Sequence, residues 1–285
     1  MDCHRPYVPP SNYIRGSCSS KQAFFHSLPT AGCNILINNS FSIKKARELY
    51  VRSVFYIYDA LSEFIDFLDD KKIIEDSLII ITSDHGEAFG EHGRTEHFWD
   101  LLYNETIHVP LIIFHPKVED HIITYTTDHM GLMPTLFDIL GKKVGSSLVM
   151  GKSFWKRKVS PVYVVSFPAF IINNGQREDE FALSVIKDGW KVIYKLENKG
   201  SRLQVSNIEL YNLKNDPLEK INLADGEPSI TWMLIRMGIE YLLSVLSLKR
   251  KLKKIHTTVY KFKLRKFSTK LNRLLIRNYN ARWAL

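Results

Sequence analysis

Residues 78–97 read Leu78-Ile79-Ile80-Ile81-Thr82-Ser83-Asp84-His85-Gly86-Glu87-Ala88-Phe89-Gly90-Glu91-His92-Gly93-Arg94-Thr95-Glu96-His97. The run Leu78 to Ile81 is short, apolar and β-branched, the pattern of a strand covered on both faces. It gives out abruptly at Ser83-Asp84-His85-Gly86. In open α/β sheets ligands bind beyond the carboxyl ends of strands. An anionic oxygen donor and an imidazole released there by a glycine fit half of a divalent metal site, and equally a pair that caps a helix or starts a turn.

Outward from this stretch, apolar residues at spacings of three and four (Leu49, Val54, Ile57, Leu61, Phe64, Ile65, Leu68) predict a helix from Ser42 to about Asp69, with Ser42 as N-cap. Val109 to Phe114 reads as a second buried strand, followed by a helix from about His129 to Leu140 that Gly141 closes. Helices alternating with buried strands predict an α/β sheet with parallel strands. Beyond Met150 the pattern changes to shorter strands, Val162 to Phe167, Phe181 to Lys187 and Trp190 to Leu196. Asn174-Gly175 and Asp188-Gly189 mark turns, the second a hairpin signal. An amphipathic helix is expected from Ser229 to about Lys254. Residues 1–40, with Pro6, Pro9, Pro10 and Pro29 among serines and asparagines, read as loop.

The whole chain has 285 residues, 45% of them hydrophobic and 24% charged, enough for a buried core and too balanced for wholesale disorder. Three cysteines, none in a C-x-x-C pair, exclude a disulfide scaffold and read as free thiols. The net charge of +9 is unevenly placed. Residues 249–285 carry thirteen of the 39 basic side chains and none of the 30 acids, which leaves residues 1–248 with 26 against 30, a net of −4. An amphipathic helix followed by Lys/Arg clusters is the composition of a peripheral contact with an anionic membrane surface. Arg236 and Glu240 within the helix argue against a membrane span, and nucleic acid is not the expected partner.

Taken in order, the segments Asp2 to Pro10, Ser83 to Gly93, Asp128 to Gly141, Trp190 to Tyr194 and Glu209 to Leu223 resemble the sulfatase family of the alkaline phosphatase superfamily. Asp2-Cys3-His4-Arg5-Pro6-Tyr7-Val8-Pro9-Pro10 is similar to its D-x-H-x-P-Y-x-P-P segment. Ser83 to Gly93, followed by Leu102 to Ile113, is similar to its S-D-H-G segment and the strand beyond it. Asp128 to Gly141 is similar to its D-x-x-P-T-L-L-D-x-x-G helix, with Gly131 rather than Asp128 in the register of the first aspartate. Trp190 to Tyr194, and Glu209 to Glu219 with Asn222-Leu223, are similar to its C-terminal W-K-L-I-Y and E-L-Y-D-L-x-x-D-P-x-E-x-x-N-L.

The resemblance implies a metal-dependent hydrolase of sulfuric esters. Asp84 and His85 would be metal ligands. His4 would assist the leaving group, and His97 would stand at the family's basic substrate-binding position. One divalent ion is implied. Calcium is the family's usual metal, and an imidazole donor keeps manganese and zinc open. His85 stands where most members carry asparagine. This D-H variant resembles the phosphonate monoester hydrolase branch and keeps phosphodiester or phosphonate monoester hydrolysis open. The substrate would be a sulfate or phosphate ester, as a small molecule or a glycan.

No Cys or Ser is followed by x-P-x-R, the family's nucleophile motif. The expectation is accordingly a C-terminal half that lacks the nucleophile and is inactive alone, or a non-catalytic truncated product with an anion-binding tail. Its organisation would be a catalytic α/β portion at 1–148 whose partial sheet is sandwiched by helices, an antiparallel subdomain at 149–228, and a helix with a basic tail at 229–285. His92, between glycines, reads as a residue that holds a turn.

Overall fold

The computed structural model describes residues 7, 9–13, 40–143, 151–156, 161–166, 180–199 and 202–252. The chain forms two compact units, one of residues 1–97 with 105–120 and the other of residues 98–104 with 121–285. The Asn174-Gly175 turn, most of residues 1–40 and the tail beyond residue 252 lie outside the described residues.

In the first unit a 3-10 turn, Ser11–Tyr13, is described ahead of the helix α1, Ser40–Asp70. It starts two residues before the expected cap, so Ser42 is inside it. Ala46 and Ser53, two turns apart, are buried, and Tyr50 packs its ring against Tyr7 and Phe89 at centroid distances of 5.8 and 5.2 Å. The helix ends in a Schellman motif. Lys72, at φ 58°, donates its N–H to the Asp69 carbonyl, and Ile73 donates to that of Leu68. Val51, Val54, Phe55 and Tyr58, at i, i+3, i+4 and i+7, form an apolar stripe that stays exposed, Phe55 at 61%.

A 3-10 turn, Ile74–Asp76, leads into β1, Ile79–Thr82. Its partner β4, Leu111–Phe114, runs antiparallel to it, with Ile80 opposite Ile113. The expected parallel pairing is therefore corrected. A parallel return needs a long crossover. The chain between β1 and β4 instead holds a short hairpin and a four-residue helix, α2 (Asn104–Ile107). Nor is either strand buried on both faces: β1 is half-buried and Ile112 and Phe114 are exposed. The hairpin is β2, Ala88–Phe89, against β3, Thr95–Glu96.

In the second unit a 3-10 turn, His129–Gly131, opens α3, Leu132–Ile139. Asp128 caps the turn by accepting a hydrogen bond from the Gly131 N–H at 3.1 Å. Gly131 has to be small, because a Cβ there would lie 2.4 Å from the Phe154 ring. Four strands, β5 (Val162–Ser166), β6 (Phe181–Lys187), β7 (Trp190–Lys199) and β8 (Arg202–Asn212), form an antiparallel sheet in that order. Asp188 and Gly189, both at positive φ, make the β6–β7 hairpin turn. The first half of β8 went unread in the sequence.

The helix α4, Pro228–Leu252, crosses one sheet face, burying Leu234, Ile235, Ile239, Leu242 and Leu246 against Leu183, Val185, Val192, Tyr194 and Leu196. Each such side chain contributes about 1.5–3 kcal/mol. Gly238 sits at the crossing, where a Cβ would come within 2.3 Å of the Tyr194 hydroxyl. That hydroxyl donates to the Ile235 carbonyl at 3.1 Å. On Tyr103, Asn104 and Asp100 the second unit builds a polar layer. Tyr103 donates to Glu209 at 2.7 Å, the Asn104 N–H to Glu219 at 2.6 Å, and Lys195 pairs with Asp100 at 2.7 Å.

Candidate active site

Thr82 ends β1, and the next four residues fold back on themselves. Ser83 donates its hydroxyl to the His85 carbonyl at 2.7 Å, and Asp84 Oδ1 accepts the His85 N–H at 3.0 Å. The Gly86 N–H donates to the Thr106 carbonyl at 2.8 Å, and the Gly86 Cα stands so near α2 that a Cβ would come within 2.2 Å of the Glu105 carbonyl oxygen. The requirement for glycine in this motif is thus a close approach of two backbones.

His85 Nδ1 lies 2.8 Å from the Gly86 carbonyl. A carbonyl only accepts, so Nδ1 carries the hydrogen, and in the neutral ring Nε2 is left with the lone pair. That nitrogen is 3.9 Å from Asp84 Oδ2, on a carboxylate that is 89% exposed. Desolvation pushes the Asp84 carboxyl up, but the His85 and His97 rings and the N–H groups of Asp84 and His85 outweigh it and hold it below its ordinary value. An ionised carboxylate oxygen and an imidazole lone pair form a donor pair that suits a divalent ion. Two donors are a partial shell, and among the described residues no group of three or more His, Cys, Asp or Glu side chains could hold a metal.

The β2–β3 hairpin carries the remaining groups. Gly90 and Gly93 turn it at positive φ, and the Gly90 N–H donates to the Arg94 carbonyl at 3.1 Å. Glu91 accepts the Phe89 N–H at 2.5 Å and pairs with Arg47 of α1. Ala88 pairs with Glu96, and antiparallel register then sets Glu87 opposite His97. Glu96 itself is held at φ 73°, a left-handed conformation that a non-glycine residue adopts only under constraint.

The His97 ring stacks on that of His85 at a centroid distance of 4.0 Å and an interplanar angle of 27°. Its Nδ1 is 3.0 Å from Glu87 Oε2, and the bonded carboxylate raises the pKa of His97 against the opposing effect of desolvation. The Glu87 side chain is 4% exposed. His92 Nδ1 meets Glu105 at 2.6 Å, both half-buried, and so ties the hairpin to α2, the turn-holding role expected for it.

The structure therefore brings Asp84, His85 and His97 together. His4 lies outside the described residues, as do Cys3, Cys18 and Cys33. Tyr58 and Asp59 are exposed on α1, and Asp59 accepts the Tyr13 hydroxyl at 2.6 Å. Glu87 and Glu105 went unread as partners of the histidines. The signal that could have found Glu87 is the hairpin register, because glycines at 90 and 93 centre the turn so that 87 and 97 face each other.

The family model described as Sulfatase matches residues 1–142. Choline-sulfatase of Rhizobium meliloti is 27% identical over 190 residues, covering 65% of this chain and 34% of its own length. The Delta 4,5-hexuronate-2-O-sulfatase of Bacteroides thetaiotaomicron is 31% identical over 164 residues, 52% of this chain and 30% of its own. Through residues 1–142 the chain belongs to the sulfatase family. Its fold agrees. The solved structure of the sulfatase-family protein yidJ from Bacteroides fragilis superimposes with a TM-score of 0.59 at 19% identity, over 84% of this chain and 51% of that one. The chain spans about a third of the length of these two curated sulfatases.

Proposed function

We propose that this chain supplies the metal-ligating and substrate-binding side of a sulfatase-type hydrolase of sulfuric monoesters, as a C-terminal half that needs the nucleophile carried elsewhere in the fold. The observation that supports it most is the stacked His85–His97 pair beside an ionised Asp84 at the end of β1. Asp84 and His85 hold the divalent ion, which when bound neutralises charge on the ester oxygens. His97 offers a donor to those oxygens, at the position where the family carries a basic residue. His4 would give a proton to the ester oxygen as the S–O bond breaks and the sulfur bonds to the nucleophile carried elsewhere in the fold, so that an alcohol leaves and water later releases the sulfuryl group from that nucleophile as sulfate. A sulfated sugar is the substrate class, by likeness to the hexuronate sulfatase. The exposed stripe on α1 fits a domain whose remaining part lies outside this sequence.

The imidazole of His85 favours a second reading, in which the ester is a phosphodiester or phosphonate monoester. A titration separates the two. With calcium present, inorganic sulfate and inorganic phosphate are added in turn to the 285-residue chain while the imidazole resonances of His85 and His97 are followed. A larger response to sulfate, lost in Asp84→Asn, is expected. A larger response to phosphate selects the second reading, and no response to either overturns both. The chain alone is expected to turn over neither an aryl sulfate nor an aryl phosphodiester, because the covalent step has no nucleophile. Turnover that disappears in Asp84→Ala would sink the half-enzyme reading.

A further inference from the structure

Among the described residues, Glu87 is a buried carboxylate at the site that the proposed chemistry leaves without a task. Its side chain is nearly closed to water, one oxygen lies 3.0 Å from His97 Nδ1, and the other, Oε1, is buried with no hydrogen-bond partner among the described residues. Burying a carboxylate is costly unless its interactions repay the lost hydration. The contact with His97 is not accidental to the packing. The β2–β3 register places residue 87 across from residue 97, and Gly86, fixed against the Glu105 backbone, sets where the hairpin starts. Glu96, next to His97, holds a left-handed conformation, so backbone strain accompanies the placement of this ring.

We propose that Glu87 is a positioning residue for His97. A carboxylate accepts and does not donate, so Nδ1 of His97 must carry a hydrogen in every protonation state that keeps the bond. The ring cannot flip without breaking that bond, and any action of His97 on an ester oxygen runs through Nε2. Stacking on His85 fixes the plane of the ring, and Glu87 fixes its rotation within that plane. A histidine has two chemically different nitrogens, and an unanchored imidazole would divide its time between presenting one or the other. The carboxylate removes this choice, as second-sphere partners do for functional histidines generally. This proposal rests on the reading that His97 faces the ester.

The test is imidazole nitrogen NMR on the full 285-residue chain at roughly pH 9, above the ordinary range of histidine, where the neutral tautomer is read directly. His97 is expected as the Nδ1–H tautomer. Glu87→Gln, whose amide oxygen still accepts, keeps that tautomer, whereas Glu87→Ala shifts the population toward Nε2–H. An Nε2–H tautomer in the unaltered chain would overturn the proposal without any variant having to fold. An unchanged tautomer in a folded Glu87→Ala would overturn it as well. Sulfate titration of the same samples addresses the site reading separately. Binding is expected to weaken about tenfold in Glu87→Ala, the worth of one charge-assisted hydrogen bond, and by less in Glu87→Gln. If His97 holds the Nδ1–H form but no sulfate shifts its signals, Glu87 still orients the ring and it is the substrate-binding reading that falls.

Discussion

Gly86 and Gly93 stand seven residues apart in one hairpin segment and are glycines for different reasons. At Gly86 the obstacle is space, since a Cβ would meet a backbone oxygen at 2.2 Å and neither β1 nor α2 is a flexible side chain that could yield. At Gly93 nothing lies within 4 Å of a Cβ, and the requirement is only φ +73°. Gly86→Ala is expected to cost about 1–3 kcal/mol, the range for forced overpacking, and to disturb the amide resonances of both Asp84 and Thr106. Gly93→Ala is expected to cost about 1–2 kcal/mol, the ordinary left-handed penalty, and to leave those resonances in place. Urea unfolding of the two variants with NMR of the folded states checks both. Equal disturbance at Asp84 would show that turn conformation, not the approach to α2, places the metal-ligating pair.

At the scale of elements, β7 contributes a lysine to the least expected place. Lys191 and Glu219 are 0% and 1% exposed and pair at 2.6 Å, with the Asn104 side-chain oxygen accepting from Lys191 at 3.1 Å and the Asn104 N–H donating to Glu219. Lys191→Met strands a buried carboxylate and is expected to cost about 3–5 kcal/mol. Replacing both charges, Lys191→Met with Glu219→Leu, is expected to recover part of this. The Asn104 N–H then loses its acceptor, a residual cost of about 1–3 kcal/mol. Thermal melts of the single and double variants measure the difference, and a double variant no better than the single would mean that packing rather than charge holds this layer. The helix α3 offers a pH-dependent case. The Lys156 ammonium, 2.6 Å from Asp138, holds that carboxyl below its ordinary value of 3.8, helped by Ser153 and opposed by desolvation. A depressed carboxyl contributes stability above its unfolded value and loses it as pH falls through the folded one. The stability gap between the unaltered chain and Asp138→Asn is thus expected to be flat at neutral pH and to close only below about pH 4. Salt should narrow it, because Lys156 is exposed.

Across the whole molecule, the basic run begins at Lys249 in the last turn of α4, a helix whose apolar face is already in use. Ile235 and Leu242, on the helix whose composition suits a peripheral membrane contact, are buried against the β-sheet. Pro228–Leu246 is long and apolar enough to cross a membrane by length and composition, with 39% of that window buried in the fold. If the helix stays packed, attachment to anionic vesicles has no apolar component to survive screening. Co-sedimentation is expected to fall steeply near physiological salt and to vanish at about 1 M, where the Debye length is about 3 Å. Binding that persists there would show α4 leaving the sheet to enter the bilayer. A version ending at Ser247 should lose the low-salt binding.

Much of this protein was legible from local pattern. The 3.6-residue period gave α1 and α4 to within a few residues, the Asp188-Gly189 pair gave the β6–β7 turn, and the apolar run Leu78 to Ile81 gave the strand that ends just before Asp84 and His85. These features depend on neighbours in sequence, which a period or a turn residue encodes directly. The direction of β4 beside β1, the exposure of both strands, and the ion pair beneath Lys191 were not legible, because each is decided by residues far away along the chain. Lys191 carries the charge of a surface residue, and Glu219, beyond the end of β8, together with Asn104, the first residue of α2, helps to make its burial tolerable. Glu87 belongs to the same class. Its identity is written in the sequence, but its partner is fixed by hairpin register, and register is a property of two strands together.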